Sequence, residues 1–164
     1  MVFALYMGAT LMKFICVALL IGILAFDTSA QTRATSGADP TGLWRTISDV
    51  DGEPRAIVRL HMVDGELRGV VIGTLRQGED RNRLCERCSG SRRNQPISGM
   101  TILWGLHRDP RDPNLFVSGS VLDPDSGDVY SARLRLLPDG QSLEVRGFLM
   151  VSMLGRSQTW LRAP

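Results

Sequence analysis

The dipeptide Asp64-Gly65 stands between two runs of alternating apolar and polar residues, Ala56–Val63 and Glu66–Leu75. That arrangement constrains the fold more than any other part of the chain. A two-residue Asp-Gly turn needs positive φ at both central positions, and its twist matches that of an antiparallel pair. It sets a register in which Val63 faces Glu66, Met62 faces Leu67, Leu60 faces Gly69, Val58 faces Val71 and Ala56 faces Gly73. Side chains alternate across a strand, so Ala56, Val58, Leu60 and Met62 share one face with their partners. Arg59, His61, Glu66 and Arg68 belong to the other. The apolar face must turn inward, and a lone hairpin cannot cover it.

The rest of the chain repeats the pattern. Short apolar runs at Trp44–Ile47, Thr101–Leu106, Leu115–Leu122, Val129–Leu137, Leu143–Val151 and Ser157–Arg162 are separated by Asp-Gly, Asp-Pro and Ser-Gly turns. No long helical periodicity interrupts them. Eight strands at this spacing predict an all-β fold, an antiparallel meander closed into a barrel or a sandwich. The same parity turns Tyr130, Ala132, Leu134 and Leu136 inward, with Arg133 and Arg135 outward. It also turns Leu143, Val145, Gly147 and Leu149 inward, with Glu144 and Arg146 outward. An eight-stranded barrel encloses side chains or one small ligand. The lining candidates are therefore Leu60, Met62, Val71, Tyr130, Leu134, Val145 and Leu149.

A different signal precedes the strands. Phe14 to Phe26 are uncharged and mostly apolar, behind Lys13 and ahead of Asp27-Thr28-Ser29-Ala30. A short apolar core after a basic residue, ending in small residues, predicts a signal peptide over 1–30, cleaved before Gln31. The run is too short for a membrane span, which needs roughly 20 apolar residues. Met12 is the better start, because residues 1–11 carry no positive charge. Residues 31–40, small and polar, predict a flexible lead-in, and 41–164 form the folded domain. Lys13 is the sole lysine, and the 134 residues after Ala30 carry 18 Arg against 16 Asp and Glu, a formal charge of +2. So small an excess, without interleaved aromatics, argues against a nucleic-acid binder. The expected location is periplasmic or secreted, with no membrane span after cleavage.

The segments GLWRTISDVDGEPRAIVRL, GELRG, CERC, PISGMTILWGL, SGSVLDPDSGDVY, LEVRGF and LGRSQTWLR follow one another in this order. In that pattern the chain resembles the secreted bacterial domain-of-unknown-function family 2147, over about Thr41 to Arg162. The resemblance implies a small lipocalin-like barrel with no established enzymatic activity. The Gly42-Leu43-Trp44 start and the late Arg162 are similar to the lipocalin arrangement, in which a first-strand Trp closes the barrel floor against an Arg from the chain end. Trp44, Trp160 and Arg162 are thus the closure residues that it implies.

Chemistry is sparse. Cys85 and Cys88 lie close enough for a disulfide, the simplest state of such a pair in an exported protein. A redox-active pair is the sharper alternative, and a metal site would need more ligands than His61 and His107 can supply. Arg76 to Arg93 holds six Arg and three acids, which makes it either a solvated polar loop between barrel strands or a patch that attracts anionic lipid or polysaccharide. Asp123, Asp125 and Asp128 lack the full calcium-loop pattern, and a turn explains them. No nucleophile elbow, phosphate loop or zinc-protease motif is present. The expectation is a binding protein for a small apolar or amphipathic molecule, without cofactor, metal or catalysis. The alternative is an envelope interaction module with a packed interior that acts through its surface and holds an envelope partner.

Overall fold

The computed structural model describes residues 39–76, 78, 80–149 and 155–164. The expected signal peptide, and the lead-in as far as residue 38, lie outside them. Eight strands follow in chain order: β1 (Gly42–Ile47), β2 (Pro54–Val63), β3 (Glu66–Thr74), β4 (Thr101–Arg108), β5 (Leu115–Leu122), β6 (Val129–Leu136), β7 (Ser142–Phe148) and β8 (Gly155–Arg162). Each pairs antiparallel with the next, and β8 returns to β1, closing the barrel. A sandwich is excluded.

The hairpin turn has the expected backbone, with Asp64 at φ 51° and Gly65 at φ 81°. Its register holds from Val63↔Glu66 back to Val58↔Val71 and then slips. Ile57 pairs with Gly73, and Ala56 with Thr74 in place of Gly73. The extra residue is Ile72, a bulge that lets β3 bend around the barrel. Further bulges interrupt β4 and β5, where Gly105 and Ser118 take positive φ. Beside them, a Cβ on Gly119 would stand 2.4 Å from Leu106 Cγ. The strand glycine makes room for a core leucine there.

The interior divides along its axis. At the end where β1, β3, β5 and β7 begin, Leu60, Leu67, Leu106, Phe116, Leu134 and Leu143 are completely or almost completely buried. They fill that half of the barrel with side chains. Met62, at the rim of the packed end, is 42% exposed.

A seam seals the packed end. β1 and β8 share a register of only three residue pairs, Trp44↔Arg162, Arg45↔Leu161 and Thr46↔Trp160. The Arg162 guanidinium lies 4.3 Å from the centroid of the Trp44 ring. It donates to the carbonyls of Gly140 (3.0 Å), Thr41 (2.9 Å) and Asp39 (3.0 Å). The Trp44 indole donates to the Pro40 carbonyl at 2.8 Å. Pro40 is fully buried, so the fold begins before the expected lead-in ends. Asp39 and Pro40 belong to the floor.

A lysine at 162 would keep the charge but lose the planar fork that reaches three carbonyls at once. Arg162→Lys should cost about 2 kcal/mol in denaturant unfolding. A loss below about 0.5 kcal/mol would mean that apolar packing alone closes the barrel.

Candidate functional site

Above the packed floor the barrel is hollow. A cavity of about 750 Å³ opens at the end where β2, β4, β6 and β8 begin. Ala56, Val71, Ile102, Val121, Val145 and Trp160 form its apolar wall. Ala56, Val71, Val145 and Trp160 have the inward parity of their strands, whereas Ile102 lies at a bulge between the partners of Gly69 and Val70.

One strip of the wall is polar. Thr46 and Ser48 on the β1 side and Gln158 on β8 line the cavity. Thr46 Oγ1 accepts from the Ala56 amide at 3.1 Å, and Ser48 Oγ accepts from Arg55 Nη2 at 3.1 Å. The Trp160 indole donates to Gln158 Oε1 at 3.4 Å. Arg156, two residues nearer the mouth than Gln158, donates from Nε to Asp49. That contact, with a hydrogen bond from the Gln158 amide, holds the Asp49 carboxyl below the usual carboxylate range. The polar strip therefore runs from mouth to floor.

The mouth is walled by the segment between β3 and β4. Cys85 and Cys88 are joined by a disulfide with Cα atoms 5.3 Å apart, and both are buried. This loop packs on the turn between β5 and β6. A Cβ on Gly127 (φ 80°) would stand 2.1 Å from the Arg87 carbonyl oxygen, so only glycine fits there. Arg83 and Arg76 reach Asp125 at 2.7 and 3.7 Å, and Arg87 Nη1 donates to the Asp125 carbonyl at 3.2 Å. Arg92 stacks 4.4 Å above Trp104. Much of the basic patch thus fastens the loop to the barrel, and is not a free cationic surface. Burial also shields the disulfide from thiol attack, which needs access to sulfur. Within DPDSGD, Asp123 Oδ1 accepts from the Asp125 amide and Asp128 Oδ2 from the Tyr130 hydroxyl. Among the described residues, no three His, Cys, Asp or Glu side chains gather as metal ligands.

Of the lining candidates, Val71, Tyr130, Val145 and Leu149 reach the cavity. Leu60 and Leu134 do not: they point inward but fill the packed half. Met62 has the same parity but lies at the opposite rim, exposed and away from the void. Trp160, expected at the floor, is also a cavity wall. Thr46, Ser48, Arg156 and Gln158 were absent from the candidates. Stepping by two from Trp44 and from Trp160 would have found them.

The sequence matches the family described as "Uncharacterized protein conserved in bacteria (DUF2147)" over residues 42–162. The chain belongs to that family. A solved structure, described as "Protein HP1028 from the human pathogen Helicobacter pylori belongs to the lipocalin family", superposes with a TM-score of 0.67. The likeness covers 78% of this chain and 85% of that one at 17% identity. At that identity it speaks for the fold alone. No curated protein sequence matches the chain significantly. Among the described residues of this DUF2147 barrel, no helix is long and apolar enough to cross a membrane.

Among the described residues six carboxyls at the edges of the barrel are held below their ordinary values: Asp39, Asp49, Asp51, Glu66, Asp112 and Asp139. The Thr41 amide does this at Asp39, Arg156 at Asp49 and Arg135 at Asp112, in each case as the leading cause. Their contribution to stability is complete above the ordinary carboxylate pKa of about 4 and is lost as pH falls through their lower folded values. The urea midpoint should hold steady from neutral pH to about pH 5 and decline below about pH 4. The decline should be shallower in Asp49→Asn. An identical acid limb in that variant would remove Asp49 from the linkage.

Proposed function

We propose that the chain is an exported binding protein whose barrel holds a small apolar or amphipathic molecule in its open half. The observation that carries this reading is the void itself. About 750 Å³ lies above a packed floor, walled by apolar side chains with a polar strip on one side. Binding pockets typically occupy about 300–1,000 Å³ and combine apolar walls with a few convergent polar groups. A fully packed interior, the alternative expectation, leaves this volume without a role. The reading includes no reaction: the hydrogen-bonded polar groups of the wall position and solvate. Export is proposed from the sequence, on Lys13, the apolar stretch after it and the small residues before Gln31. A lipocalin-like fold supports ligand binding as a class and leaves the ligand's identity to experiment.

Native mass spectrometry of the protein purified from its own cells should show a discrete excess over the denatured mass. Val71→Trp places a large ring in the cavity wall and should abolish that excess while the far-ultraviolet circular dichroism stays that of a β-barrel. Retention of the adduct by Val71→Trp would refute an internal site. The denatured mass should also correspond to a chain beginning at Gln31. A mass that retains residues 12–30 would refute cleavage.

A further inference from the structure

The charges around the cavity mouth are arranged in opposite pairs. Arg55 is bound by Asp51 at 2.5 Å, and Asp125 receives Arg76 and Arg83. Arg81 and Asp80 line it too, opposite charges with no ion pair between them among the described residues. Arg156 with Asp49, and Asp123, complete the charged rim. Asp49 takes only the Nε of Arg156. Among the described residues, Nη1 and Nη2 have no hydrogen-bond partner, although a guanidinium offers both in one plane to an anion. Asp123 accepts one backbone hydrogen bond through Oδ1 and forms no ion pair among the described residues. Both side chains line the same cavity. They are complementary charges on one mouth with no hydrogen bond between them.

We propose that this mouth recognises a zwitterionic head group, its anionic group on the Nη atoms of Arg156 and its cationic group on the Asp123 carboxylate. The inference rests on the ligand-binding reading of the cavity and specifies the chemistry of the head. A singly anionic head meets Arg156 but stands beside Asp123 and Asp49. A singly cationic head meets Asp123 but leaves the Nη atoms of Arg156, whose charge Asp49 balances, without an acceptor. Only a head with both signs satisfies both groups without leaving like charges opposed. The apolar tail then descends past Val145 and Val71 to Trp160. Along β8 the four residue steps from Arg156 to Trp160 span about 13 Å. That depth suits one extended alkyl chain, not a bare polar solute.

Four probes with one common tail separate the terms: dodecylphosphocholine, dodecyl phosphate, dodecyltrimethylammonium and dodecanol. Each is titrated calorimetrically below its micelle concentration, with dodecanol as the test of the cavity alone. Dodecylphosphocholine should bind at least about tenfold more tightly than either singly charged probe, a preference of about 1.4 kcal/mol. Asp123→Asn should erase its advantage over dodecyl phosphate, and Arg156→Gln its advantage over dodecyltrimethylammonium. Thermal unfolding of both variants establishes that they are folded. Equal affinities for the charged probes, tighter binding of dodecyl phosphate, or a preference that survives both substitutions would overturn the head-group assignment. If dodecanol binds in those cases, the cavity reading stands without it. If no probe binds, dodecanol included, both inferences fall together.

Discussion

Arg162 holds the last strand against the first. Three ladder positions join β1 to β8, fewer than join β2 to β3, so the backbone supplies little of the closure. The guanidinium makes up the difference by stacking on Trp44 and tying Asp39, Thr41 and Gly140 to one planar group. Without that seam β1 and β8 would be open edges, with unpaired amides and carbonyls available to other chains. Every other element depends on the seam, because a meander has an inside only once it closes.

Closure at one end explains the hollow at the other. The indole of Trp44 and the leucines behind it crowd the floor, and the bulges at Gly105 and Ser118 bring Leu106 over Gly119. Volume is consumed there by large side chains. Toward the mouth the inward positions of β1, β2, β7 and β8 become Thr46, Ala56, Gly147 and Gln158, none of them bulky enough to span the barrel. The same alternation thus produces a core below and a cavity above. The difference lies in residue size along the strands, not in a change of architecture.

The barrel was legible because its turns are local. Asp64-Gly65 fixes φ at two residues, and the register follows by counting. Counting fails at Ile72 because a bulge answers to curvature, a property of the closed sheet that no neighbouring residue in the sequence announces. Parity likewise separates inside from outside but carries no depth. Leu60 and Val71 are both inward, yet Leu60 packs the floor and Val71 faces the void. Depth becomes visible only once the strands are staggered against one another. The polar wall was missed for a simpler reason: Thr46, Ser48 and Gln158 break the expectation that inward means apolar, although Trp44 and Trp160 already fixed their parity.

The loop containing the disulfide shows how the mouth keeps its shape with little regular structure. Between Thr74 and Thr101 the described chain makes one isolated bridge, Leu84↔Pro96, and a single turn of 3-10 helix, Gly90–Arg92. A ring closed across Cys85 to Cys88 restrains the unfolded chain by only about 2 kcal/mol in the entropy model. Its larger consequence is burial: both sulfurs join the apolar core, and Cys85 Sγ lies 3.5 Å from the Pro124 carbonyl. The compact knot then meets the turn at Gly127, where even a methyl group would collide with Arg87. Asp125, drawn by Arg76 and Arg83, holds the same turn from its exposed side. Those contacts fix the turn that follows Asp123, at the end of β5, and that carboxylate lines the cavity as part of a positioned wall.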